Sequence, residues 1–92
     1  MREMSEQLAY FQQYAEVKLQ HHIDELHGQN EHRIIDQARK NVAYKQHQKI
    51  FEKELSKKID QLAPAEFDYI RLSLWSMKQI YANKFVSCRG LM

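Results

Sequence analysis

Four of the chain's five histidines crowd into one stretch, His21-His22-Ile23-Asp24-Glu25-Leu26-His27-Gly28-Gln29-Asn30-Glu31-His32. On a helix, His21 and Glu25 lie four apart on one face and could share a metal ion. Asp24 and His27, three apart, have another ligand spacing. A tight site needs three or four converging ligands. The chain has neither HExxH nor CxxC, and a single Asp-x-x-His lacks the paired motif and extra glutamates of a di-iron bundle. The expectation is a polar helix end and loop with no metal ion. Its functional version is a pH-sensitive turn, because histidine titrates near neutrality.

Nucleophiles are poorly placed. The serines are Ser5, Ser56, Ser73 and Ser76; none lies in a nucleophile elbow, and the chain has no glycine-rich phosphate loop. Cys88 is the single cysteine, so no internal disulfide can form. It reads as a small buried hydrophobe in a protein of a reducing compartment. No catalytic residue and no cofactor is expected, and the chain is not read as an enzyme.

Lys45, Lys49, Lys53 and Lys57 recur at strict four-residue spacing, with Arg39, Lys40 and Lys58 nearby. Such a face could follow phosphates. Glu52, Glu54 and Asp60 interrupt it, the net charge is only +2, and no short helix-turn-helix unit is present. The run reads first as a solvated helix face. A nucleic-acid-binding regulator using it is the alternative function.

The remaining candidates are apolar. Residues 64–89 carry a main stripe centred on Leu74 and Tyr81. At 100° per residue, Trp75 falls about 120° from that centre, Val86 about 140° and Leu72 about 180°. Tyr69 and Ile80 lie on the other flank. In the first third, Tyr10, Tyr14, Val17 and His21 line up opposite Leu8, Phe11 and Ala15. Tyrosine, tryptophan and aliphatics outside the core stripes are what interfaces favour. Tyr10, Tyr14, Val17, Leu72 and Trp75 are therefore the candidate partner-binding residues. The competing reading is a wider bundle with a central third helix and tyrosines half-buried at its edge.

These residues must be positioned by helices. Two glycines and one proline in 92 residues leave few chain breakers. The expected helices run over about 5–27, 31–61 and 64–89 in one domain spanning 1–92. Ser5 is a plausible first cap, Gly28 a left-handed stop, and Asn30 a cap for the second helix. Pro64 is expected in the first turn of the third helix, and Gly90 at its end with Leu91 folded back on Val86.

The expected core positions are Met4, Leu8, Phe11, Ala15, Leu19, Ile23 and Leu26, then Ile34, Ile35, Ala38 and Val42, then Ile50, Phe51, Leu55, Ile59 and Leu62. Phe67, Ile70, Leu74, Met77, Tyr81, Phe85 and Cys88 complete the set. Residues 44–49 form a polar waist in the second helix that either faces solvent or marks a bend. Asp36–Lys40 and Glu54–Lys58 have the spacing of favourable ion pairs.

At 1.5 Å per residue the helices should span about 35, 47 and 39 Å. Short connections make neighbours antiparallel. The fold class is all-α: three long antiparallel helices, as a bundle or as an elongated hairpin that dimerises. Residues 1–30, 31–61 and 62–92 carry −3, +3 and +2, so an acidic first helix can lie against basic ones. An N-terminus with acids in place of an apolar run, and no span of about 18 apolar residues, point to a cytoplasmic protein. The function expected is that of a small non-enzymatic module binding another protein chain, or a second copy of itself. No membrane or small-molecule substrate is expected.

Overall fold

A computed structural model describes the backbone of residues 4–31 and 37–90 and the side chains of residues 4–26 and 42–86. Three helices occupy these residues: α1 (Met4–Glu31), α2 (Gln37–Leu62) and α3 (Asp68–Gly90). No strand occurs among them. Each helix touches both others, in a rod of 52 × 18 × 18 Å. At 1.5 Å per residue the 28 residues of α1 alone span about 42 Å.

Residues at spacings of three and four build the core. Phe11, Ala15 and Leu26 enter it from α1, Tyr44, Phe51, Leu55 and Ile59 from α2, and Ile70, Leu74, Tyr81 and Phe85 from α3. Leu8, Leu19, Ile23, Leu62, Phe67 and Met77 pack against it, half-buried. Met4, Val42 and Ile50, expected inside, are exposed. A narrow three-helix rod buries one stripe per helix: at 100° per residue Val42 and Ile50 fall roughly 140° from the centre of the Tyr44–Phe51–Leu55–Ile59 stripe, and Met4, although in line with Phe11, is the first residue of α1. Ile34, Ile35, Ala38 and Cys88 lie outside the residues whose side chains are described.

Several local expectations change. Helix α1 continues through Gly28 and Asn30 to Glu31, and no described glycine has positive φ. Glycine permits a left-handed stop without compelling one. Gly90 is the last described residue of α3, without the left-handed φ, and the Leu91 fold-back falls outside the described residues.

The link between α2 and α3 is longer than Pro64 suggested. Ala63 N–H still bonds the Ile59 carbonyl at 2.8 Å, but Pro64 has no N–H to donate, and it disfavours helical geometry in the residue before it. A turn follows, closed by Phe67 N–H on the Pro64 carbonyl at 2.8 Å. The Phe67 carbonyl then accepts from Ile70 and Arg71, both at 3.1 Å, and α3 begins. The turn leaves Ala63 fully buried and Phe67 against the core.

The polar waist does not interrupt the helix, and it faces solvent only in part, through Lys45, Gln46 and Lys49. Helix α2 is continuous through it, Tyr44 is buried and His47 half-buried. Glu54 reaches α1 rather than serving only its own helix face, and Lys58 Nζ stands 5.0 Å from the centre of the Tyr14 ring. The Asp36–Lys40 pair falls outside the described side chains.

Candidate functional site

A row of polar side chains crosses the middle of the rod. His22 of α1 is 4% exposed and sits edge-on to Phe51 and Phe85, with ring centroids 6.0 and 6.4 Å away. Its Nε2 lies 2.8 Å from Glu54 Oε1, and its Nδ1 lies 2.8 Å from Nδ1 of His47. Lys18 Nζ reaches the other oxygen of Glu54 at 3.2 Å. Glu25 brings a carboxylate up beside the histidine pair, and the nearest ligand atoms of His22, His47 and Glu25 all lie within 4.8 Å of one another.

The chemistry of this row follows from its donors and acceptors. Burial alone would lift the Glu54 carboxyl. Hydrogen bonds from His22 and Lys18, with the charges of both, outweigh it and hold Glu54 below its ordinary range. Glu54 is therefore ionised at neutral pH and can only accept, so His22 Nε2 carries a hydrogen. In a neutral imidazole the other nitrogen is then a lone pair, here aimed at His47. Burial, reinforced by His22 and His21 and opposed by Glu25, holds the His47 imidazole below its ordinary value.

These two shifts set a stability profile. His47 and Glu54 each bind a proton less readily folded than unfolded, so both contribute stability that rises with pH. The His47 contribution is complete above 6.5 and is lost as pH falls from there to its folded value. The Glu54 contribution is complete above 4.5 and disappears lower still. The groups facing them are His21, His22, Glu25 and Lys18. Denaturant midpoints of the metal-free chain are expected to hold steady above about pH 7 and fall in two stages below it. His47→Gln should shrink the first stage and leave the second. An unchanged first stage in that variant would assign it to another group.

The structure regroups the histidines. His21 and Glu25 do pair, at 3.5 Å, but on an exposed surface. Asp24 accepts from Gln20 at 2.8 Å, and the His27 side chain lies outside those described. The buried member is His22, which the helical spacings passed over. Its partners His47 and Glu54 lie 25 and 32 residues away. The only local signal was that His22 continues the Phe11–Ala15 stripe towards Leu26.

The five candidate docking residues separate. Leu72 and Trp75 line one open depression of about 390 Å³ together with Asp68 and Arg71. Leu72 is 69% and Trp75 42% exposed. Lys78, nearly buried, stands 3.7 Å from the centre of the Trp75 ring and donates to Ser56 Oγ at 2.7 Å. Burial holds its ammonium below the ordinary lysine value, against the opposing charge of Glu52. Tyr10 and Val17 are exposed on α1. Tyr14 is half-buried against the core, with Lys18 and Lys58 over its ring at 5.6 and 5.0 Å.

No protein-family model, curated protein or solved structure matches this chain.

The lysines of α2 at positions 45, 49, 53 and 57 are all exposed. That is what a solvated helix face requires. Among the described residues no helix is long and apolar enough to cross a membrane.

Proposed function

We propose that this chain is a small non-enzymatic protein-binding module of the regulator, inhibitor or chaperone-like kind. It docks another protein chain, a second copy of itself included, on the outer apolar faces of α1 and α3. The observation that carries this reading is the outward face of α3. At 100° per residue, Tyr69, Leu72, Ser76, Ile80 and Asn83 fall within an arc of about 80°. All five are exposed, and none is charged. Trp75 borders the arc, and Asp68 and Arg71 supply a polar rim around the Leu72–Trp75 depression. Scattered exposed hydrophobes are ordinary, whereas a contiguous uncharged face with an aromatic anchor and polar rim resembles the energetic centre of an interface.

The interhelical pairs support an up-down-up arrangement beneath this face. Lys18 and His22 of α1 meet Glu54 and His47 of α2. Asp60, Ser56 and Phe51 of α2 meet Arg71, Lys78 and Phe85 of α3. Partner numbers fall along α2 as they rise along α1 and α3, so α2 runs against both. An uncharged outer face on such a rod could pair with the same face of another copy. The lone cysteine fits a cytoplasmic setting.

Leu72→Asp tests the reading. A charge at an exposed position away from the core should change folding stability by no more than about 0.5 kcal/mol. Placed at the centre of a docking face, it should weaken association about tenfold or more, as loss of a strong anchor does. Light scattering over a range of concentrations reads self-association, and co-purification reads a foreign partner. A wild-type mass fixed at 11.1 kDa, with the same proteins retained by wild type and variant, would remove the proposal.

A further inference from the structure

We propose that His22, His47 and Glu25 form a binding site for one divalent zinc-type cation, with Glu54 as the carboxylate behind His22. The inference is independent of the docking face.

Three donors converge from two helices. The Nδ1 atoms of His22 and His47 are 2.8 Å apart, and the Glu25 carboxylate completes a set whose atoms lie within 4.8 Å of one another. Two imidazoles and a carboxylate suit zinc, which takes nitrogen at about 2.0–2.1 Å and carboxylate oxygen at about 2.0–2.2 Å in tetrahedral array. Tetrahedral bonds of that length separate ligand atoms by roughly 3.3 Å. The histidine nitrogens need open only slightly, and the exposed Glu25 carboxylate need close by at most roughly 1.5 Å, within reach of a rotamer change.

The surroundings of His22 are what a ligand requires. A metal-bound histidine characteristically donates its other ring nitrogen to a carboxylate, which fixes the tautomer and strengthens the donor. Glu54 stands at 2.8 Å from Nε2 in that role and is itself anchored by Lys18 at 3.2 Å. The rings of Phe51 and Phe85 hold the imidazole from the core side. Its Nδ1 lone pair is thus aimed at the space it shares with His47. Metal binding replaces the hydrogen between the two Nδ1 atoms. That hydrogen is the Nδ1 hydrogen of neutral His47; His47 binds the metal as its other tautomer, with the hydrogen lost from Nδ1 and one taken from water at Nε2 on its partly exposed side. Three protein ligands leave a fourth position for water on the side of Glu25 and solvent.

His21 offers the competing explanation. Its Nε2 lies 3.5 Å from Glu25, and an exposed histidine–glutamate pair on one helix can catch a metal weakly without α2. The two arrangements separate by mutation.

The test uses the full chain, Zn²⁺ in competition with a chromophoric chelator, and Co²⁺ as a visible reporter. One equivalent of Zn²⁺ should bind and raise the melting temperature, and Co²⁺ should show the intense visible bands of a tetrahedral site. His47→Ala, at a half-exposed position, should lower affinity more than about 100-fold, and Glu54→Gln by about 10–100-fold as an outer partner. Glu25→Gln should also weaken binding, whereas His21→Ala should leave it within a few-fold. Circular dichroism confirms that each variant retains its helices. The proposal is overturned if the wild type takes up no stoichiometric Zn²⁺ at tens of micromolar. It is equally overturned if binding survives His47→Ala, or is lost with His21→Ala alone.

Discussion

Phe85→Ala is expected to cost about 3–5 kcal/mol of folding stability, the range for truncating a buried phenylalanine. Phe85 is 1% exposed and stands where all three helices meet. Its ring stacks on Phe51 at 5.8 Å with an interplanar angle of 26°, lies 6.2 Å from Tyr44, and meets the edge of His22. Alanine would remove a shared wall from each of these side chains. The narrow rod has no second layer to collapse into the space, so the cavity term should be large. Domains of this size hold only about 5–15 kcal/mol, so the variant should sit near its unfolding threshold at room temperature. Urea denaturation measures the loss. Phe85→Leu keeps much of the volume and should cost less. Ile80→Ala, on the exposed side of the same helix, should cost a small fraction of it. Equal losses from Phe85→Ala and Ile80→Ala would mean that Phe85 does not join the helices.

The next largest effect is expected from Glu54→Ala. Removing this carboxylate leaves the Nε2–H of His22, inside the rod, without its acceptor. An unmet buried donor costs about 1–3 kcal/mol. Lys18 loses its partner as well, but that ion pair is about one-third exposed and should account for under about 1 kcal/mol. Glu54→Gln separates the two contributions, because its amide oxygen can still accept from His22 while the charge facing Lys18 is gone. The expected order of stability is wild type, then Glu54→Gln, then Glu54→Ala. A double-mutant cycle with Lys18→Ala should return a small coupling energy. Equal destabilisation by both Glu54 variants would show that charge, not the acceptor, is what His22 needs.

The same residues show how far local reading reaches. Phe11 and Ala15, Phe51, Leu55 and Ile59, and Ile70, Leu74, Tyr81 and Phe85 recur every three or four residues and all enter the core. Gly28 tolerates a left-handed stop without imposing one, and α1 runs on through it. Tyr44 and His47 stand among polar neighbours that carry no local sign of their burial. The half-burial of Tyr14 beneath Lys58, with Leu72 beside Trp75, likewise depends on where neighbouring helices lie.

Helix type and the buried stripes were determined by the amino-acid sequence alone, because backbone hydrogen bonds and the 3.6-residue repeat join residues only a few positions apart. The polar row was decided by tertiary structure alone. His22 meets His47 and Glu54 across 25 and 32 residues, and no short-range pattern can select those partners from the other histidines and carboxylates. Their meeting depends on the register in which α1 packs against α2. That register is set by how Phe51, Phe85 and Leu55 fill the space between the helices.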